Sequence, residues 1–179
     1  SPKKIKTLEP RNLHGDPDLD KAIFASPYRE FAMAYSGKKW GDCDIGQSVT
    51  GSGDDRVMTL TEMRPGAFDA IYKNVSGYLY DLPSDMFGPI KTRKSRMEII
   101  SEEPVRPIKV TKIPNLLEVL QKSNRVRMEK YNPNSESYKN RLTKMKTRYN
   151  KFDEAGKESY RNWVERTNPE LADKLAEIL

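Results

Sequence analysis

Three spacings of apolar residues divide the chain. The run Ala22-Ile23-Phe24-Ala25 is short and continuous, as in a buried strand, and stops at Ser26-Pro27. Beyond it Tyr28, Phe31, Ala34 and Tyr35 return at the spacing of one helix face, which predicts a helix from Tyr28 to about Ser36. Ser26 is suited to accept a hydrogen bond from an early helical amide. Pro27 fits the first helical position, where the N–H it lacks would go unused, and Gly37 is a natural stop. A strand that runs straight into a capped helix sets side chains at the rim of a cleft, so the turn at Ser26-Pro27 is a candidate functional position.

The middle of the chain reads as strands at 57–62, 67–73, 78–82, 97–101 and 108–113, separated by Gly and Pro. Residues 41–55, rich in Gly, Asp and Ser and without a hydrophobic period, read as a mobile loop. From Ser123 the period changes again. Tyr138, Leu142, Met145 and Tyr149 recur at i, i+4, i+7 and i+11, the mark of an amphipathic helix. A second helix is expected at 153–165 and a third from Asn168, a good cap, and Pro169, a good first residue, with Leu171, Leu175 and Ile178 as its apolar stripe. No regular alternation of strand and helix is visible. The pattern therefore predicts an α+β fold with a mixed or antiparallel sheet in 1–122 and a basic helical C-terminal region in 123–179, too small to bury much surface alone.

Charge sharpens that division. The chain of 179 residues carries a formal +6, yet between Arg125 and Lys151 stand nine Lys or Arg against two Glu, a net of +7, so the remainder is close to neutral. Lys139, Arg141, Lys144, Lys146 and Arg148, interleaved with the apolar positions, are candidate contacts to nucleic-acid phosphates, or else a solvated helix face. An apolar fraction of 36% supports one core of modest size, and a single cysteine, Cys43, leaves no internal disulfide. No run of about 18 apolar residues and no leader-like start is present, so a cytoplasmic protein with no membrane association is expected.

Several chemistries are excluded. The Gly51-Ser52-Gly53-Asp54-Asp55 stretch lacks the Lys-Ser/Thr ending of a phosphate-binding loop, and there is no Gly-x-Ser-x-Gly elbow, no Cys/His zinc spacing and no His-Glu-x-x-His helix. The pairs Asp54-Asp55 and Glu102-Glu103 are adjacent in sequence and point different ways, so neither makes an acid/base dyad.

Three short motifs, Ser1-Pro2, Ala22-Ile23-Phe24-Ala25-Ser26 and Arg96-Met97-Glu98-Ile99-Ile100-Ser101, together resemble the ADP-ribosyltransferase superfamily in its poly(ADP-ribose) polymerase-like branch. In that family one strand ends in His-Gly-Ser/Thr, a second carries a Tyr-Phe-Ala-like motif before a helix, and a third presents a glutamate. Ser1-Pro2-Lys3-Lys4-Ile5 looks like the continuation of a His-Gly-Ser-Pro motif begun upstream. The resemblance implies an ADP-ribosyltransferase-like sheet domain that uses NAD as co-substrate and transfers ADP-ribose to a protein or nucleic-acid acceptor. It assigns Phe24 and Tyr35 to the walls of a nicotinamide pocket, Ser26 to its edge, and Glu98 to the carboxylate that orients ribose hydroxyls and stabilises an oxocarbenium-like state. The chain departs from the pattern at Ile23, where the family has tyrosine. Its one histidine, His14, stands in the turn-like Leu13-His14-Gly15-Asp16-Pro17 instead of ending a strand. The alternative is a non-catalytic nucleic-acid-binding or assembly protein that uses the basic segment 125–151.

Overall fold

A computed structural model describes residues 4–12, 21–38, 41, 43–90 and 97–178, with side chains as far as Lys174. Ser1 to Lys3, His14 and Arg96, and the side chains of Leu175 and Ile178, lie outside the described set. The elements run β1 (Ile23–Ala25), α1 (Arg29–Ala34), β2 (Ile45–Thr50), β3 (Val57–Glu62), α2 (Ala67–Tyr72), β4 (Gly77–Asp81), β5 (Gly88–Pro89) and β6 (Ile99–Ser101). They continue with β7 (Lys109–Ile113), α3 (Leu116–Gln121), β8 (Val126–Glu129), α4 (Glu136–Tyr149), α5 (Glu154–Thr167) and α6 (Pro169–Ile178). This is an α+β protein with small antiparallel and mixed sheets.

The chain forms two compact units that interleave in sequence, one from Ser1–Gly37 and Asn74–Leu120, the other from Lys38–Lys73 and Gln121–Leu179. In the first unit β6 pairs antiparallel with β1 on one side and β5 on the other, and β4 pairs antiparallel with β7. Leu8 is bridged to Val105, Arg11 to Ala22, and the Ile5 N–H donates to the Tyr80 hydroxyl at 2.9 Å. The predicted helix is present but shorter, and of its expected face Phe31 and Ala34 are buried, joined by Met33, whereas Tyr35 is exposed. Its start differs. Tyr28 is the N-cap, and Ser26 accepts from the Tyr28 N–H at 3.2 Å, so the serine closes a tight turn ahead of the helix and does not cap it.

The second unit is built on a β2–β3 hairpin, with six residues of each strand in antiparallel register, and β8 added parallel to β3. Onto this sheet α4, α5 and α6 pack a core of Cys43, Met63, Tyr138, Leu142, Met145, Val164 and Leu171. The i, i+4, i+7, i+11 series of α4 is thus buried to its last member, Tyr149. Asp153 caps α5 by accepting from the Gly156 N–H. Asn168 caps α6 through its Oδ1, which accepts from the Leu171 N–H at 3.1 Å, while its amide donates to the carbonyls of Cys43 (3.0 Å) and Met63 (3.1 Å). One buried side chain therefore starts a helix and ties it to both ends of the hairpin.

Three elements differ from the sequence expectation. The expected mobile loop at 41–55 contains β2, because Ile45 is wholly buried opposite Glu62 and every residue to Thr50 finds a partner. Cys43 and Asp44 form a turn ahead of that strand, and the hairpin tip carries a 3-10 turn at Gly53–Asp55. The expected strand at 67–73 is α2: Ala67, Phe68, Ile71 and Tyr72 are buried while Asp69 and Ala70 are exposed, a two-in, two-out pattern that only a helix gives. Glu62, itself buried, secures the start of that helix by accepting from the Phe68 N–H at 2.8 Å, and it also accepts from the Tyr131 N–H at 3.0 Å. The region from Ser123 is not all helical, for it opens with β8, where buried Val126 is followed by exposed Arg127.

Candidate functional site

The ladder of β1 on β6 pairs Ile23 with Ser101, Phe24 with Ile100 and Ala25 with Ile99. One step outward along this antiparallel register stand Ser26 and Glu98. Because cross-strand partners share a face, Phe24 and Ile100 fall on one face of the pair, and Ser26 and Glu98 are the first residues beyond its paired end. Phe24 packs with buried Ala22, Ile90 and Ile100. Glu98 and Ser26 are both part-buried. Phe24 is part-buried, an apolar shelf at the edge of this cluster.

Tyr35 is the C-cap residue of α1 and is 39% exposed, at the far end of the helix from Ser26. Phe24 stands in β1, Ser26 and Glu98 stand just beyond the paired end of β1 and β6, and Tyr35 is at the C-terminal end of α1 on the same unit. Arg29, the first residue of α1, is 3.5 Å from Asp81 of β4 in an exposed ion pair, which adds little stability but holds a cation near the start of the helix.

The second candidate lies in the other unit. At about 100° per residue, α4 carries Arg141, Lys144 and Arg148 on one flank of its buried face and Lys139 and Lys146 on the opposite flank. The first flank borders a groove of about 370 Å³ between the sheet and α4, with Gln47, Ser48 and Thr61 contributed by the strands and Ser137, Arg141 and Lys144 by the helix. Gly46 makes room for it. A Cβ there would meet Arg141 Cγ at 3.0 Å and Cδ at 3.2 Å, so the arginine stem lies against bare backbone of β2. Thr61 donates to Glu129 at 3.3 Å and Asn140 donates to Glu136 at 3.1 Å, so two of the lining residues also engage carboxylates.

Sequence reasoning singled out the cations of this groove and missed its hydroxyls. Ser137 lies on the Arg141 and Lys144 flank and was open to the same helical arithmetic. Ser48 lies in β2, whose Gly, Ser and Thr content gives little hydrophobic period in the sequence. Beside the groove's helix, Lys174 donates to the Tyr131 hydroxyl at 3.0 Å and sits 5.5 Å and 5.2 Å from the ring centres of Tyr131 and Tyr138. The tyrosine bond pushes the Lys174 ammonium above its ordinary value, and burial pushes the Tyr138 phenol up against the opposing pull of Lys174.

Among the described residues no cluster of three or more His, Cys, Asp or Glu could hold a metal ion, and no helix is long and apolar enough to cross a membrane. Compared with protein-family models, with curated proteins and with solved structures, the chain matches none.

Proposed function

We propose that this chain is an ADP-ribosyltransferase-like protein that uses NAD as co-substrate and passes ADP-ribose to a protein or nucleic-acid acceptor. The observation that supports the reading is the antiparallel pairing of β1 on β6, which sets Phe24 opposite Ile100 and ends one residue short of Ser26 and Glu98, beside the turn into α1. In this reading the nicotinamide ring lies on the Phe24 shelf and the Ser26 hydroxyl stands at its edge. The Glu98 carboxylate accepts from ribose hydroxyls and offsets positive charge as the glycosidic bond to nicotinamide lengthens. Tyr35 closes the pocket only if α1 presents it toward the shelf, so it is the most dispensable of the four. Phe24→Ala is expected to weaken NAD binding, and Glu98→Gln to spare binding while removing most turnover. Equal effects of the two variants on binding and on turnover would count against the division of roles.

A second reading, a nucleic-acid-binding protein working through α4, is favoured by the continuous Arg141, Lys144 and Arg148 flank. It predicts affinity for single-stranded oligonucleotides that falls steeply with salt, by several log units per log unit for several phosphate contacts. Binding that is insensitive to salt would remove it.

A further inference from the structure

The groove between the β2–β3 hairpin and α4 differs in kind from a solvated basic face. It is a concavity of about 370 Å³, near the lower bound for small-ligand sites, and its lining is polar from both sides. The helix supplies two cations, Arg141 and Lys144, and two hydroxyls, Ser137 and Thr143, while the strand supplies Ser48 and the Gln47 amide. A patch that merely keeps a helix soluble needs no such convergence. Gly46 adds the second structural mark, since any side chain there would push against the Arg141 stem and Met63 Sδ (3.3 Å) and displace the guanidinium from the groove wall. Two carboxylates adjoin the lining, Glu129 accepting from the Thr61 hydroxyl and Glu136 from the Asn140 amide, while Ser48, Ser137 and Lys144 take no part in those bonds.

We propose that this groove is a phosphate-binding subsite for a small phosphoester, with Arg141 and Lys144 neutralising the phosphate and Ser48 and Ser137 donating hydroxyl hydrogen bonds to its oxygens. Arginine presents a fork matched to two phosphate oxygens, and lysine adds a point charge, a pairing common wherever one phosphate is held. The inference rests on the second reading only in taking Arg141 and Lys144 as anion contacts. Its ligand is different: a terminal phosphate on a small molecule enters a concavity of this size, whereas a polymer backbone tracks the whole flank to Arg148.

Adenosine monophosphate and inorganic phosphate serve as probes, with a single-stranded 12-nucleotide DNA as the comparison, titrated calorimetrically against the whole protein and its variants at low salt. Adenosine monophosphate is expected to bind, with inorganic phosphate competing. Lys144→Gln is expected to weaken it at least about tenfold, as does loss of a charged hydrogen bond elsewhere. Ser48→Ala should weaken it less, and Lys139→Gln, on the opposite flank, should leave it unchanged. Lys144 and Lys139 are both exposed, so thermal melts of the two variants should coincide with the parent. The proposal is overturned if the parent protein does not bind adenosine monophosphate, or if Lys139→Gln weakens it as much as Lys144→Gln, the sign of diffuse attraction. Binding of the DNA alone, weakened by Lys144→Gln, would leave the nucleic-acid reading standing and remove this one. Binding of adenosine monophosphate without the DNA would do the reverse.

Discussion

Asn168 shows how much one side chain can hold. Its amide satisfies two buried carbonyls on the hairpin side of the second unit, and its oxygen caps α6, so Asn168→Ala removes a cap and strands two acceptors at once. A loss of about 3 kcal/mol in denaturant unfolding is expected. Asn168→Asp keeps the cap but turns a carboxylate against the Cys43 and Met63 carbonyls, so it should be no more stable than the alanine variant. If aspartate restores parental stability, the two carbonyl bonds contribute nothing. Gly51 is the second such residue. With φ at +81° and a hypothetical Cβ 2.4 Å from the Asp55 carbonyl oxygen, the hairpin tip admits no side chain there. Gly51→Ala should cost about 1–3 kcal/mol by the same measurement, whereas Gly53→Ala, whose Cβ would meet nothing within 4 Å, is left with the backbone cost alone.

At the scale of elements, the packing of α6 beside α4 makes the second unit sensitive to alkali. Tyr138 and Lys174 both hold their protons more tightly in the folded protein than in the unfolded chain, Tyr138 through burial and Lys174 through its bond to Tyr131. Groups with raised folded values lend stability that is complete below the unfolded values, 10.0 and 10.5, and is lost as pH rises through the folded ones. Thermal melts should therefore show stability holding up to about pH 10 and falling beyond it. Tyr138→Phe, which keeps the ring and deletes the phenol, should flatten part of that fall. An unchanged alkaline profile would contradict the account.

What was legible in the sequence follows the same scale. The face of α4 could be read because fourteen residues give the helical period time to repeat, and because burial of that face against β2 and β3 requires the period to be strict. Asn168-Pro169 could be read because capping is local chemistry. Helix α2 could not, since six residues of two-in, two-out burial look apolar at almost any period, and its start depends on Glu62 five residues upstream. Strand β2 was masked by Gly, Ser and Thr, which supply little hydrophobic signal, and β8 by the surrounding cations. Both strands exist through pairing with β3, a long-range contact that no local pattern announces. The candidate sites divide likewise. The residue types at the β1–β6 end follow from resemblance, but the pairing of Phe24 with Ile100 is a matter of register between strands more than 70 residues apart.

For the whole molecule, the chain passes from one unit to the other three times, so neither is a simple N- or C-terminal half. The reading of 1–122 and 123–179 as separate regions has a direct consequence that can be measured. A chain ending at residue 122 would keep β2 and β3 but lose β8 and the helices that bury Cys43 and Met63. Hydrogen exchange on that fragment should show the β2–β3 amides unprotected while those of β1 and β6 remain slow. Protection of β2–β3 equal to that of the whole chain would contradict the interleaved organisation.

The central claim concerns the β1–β6 end, and the release of nicotinamide from NAD tests it most directly, measured for the parent protein and for Glu98→Gln with NAD binding followed in parallel. The account predicts release by the parent and a fall of about 10²-fold or more in Glu98→Gln, with NAD still bound. No NAD binding by the parent, or equal release by both proteins, would contradict it.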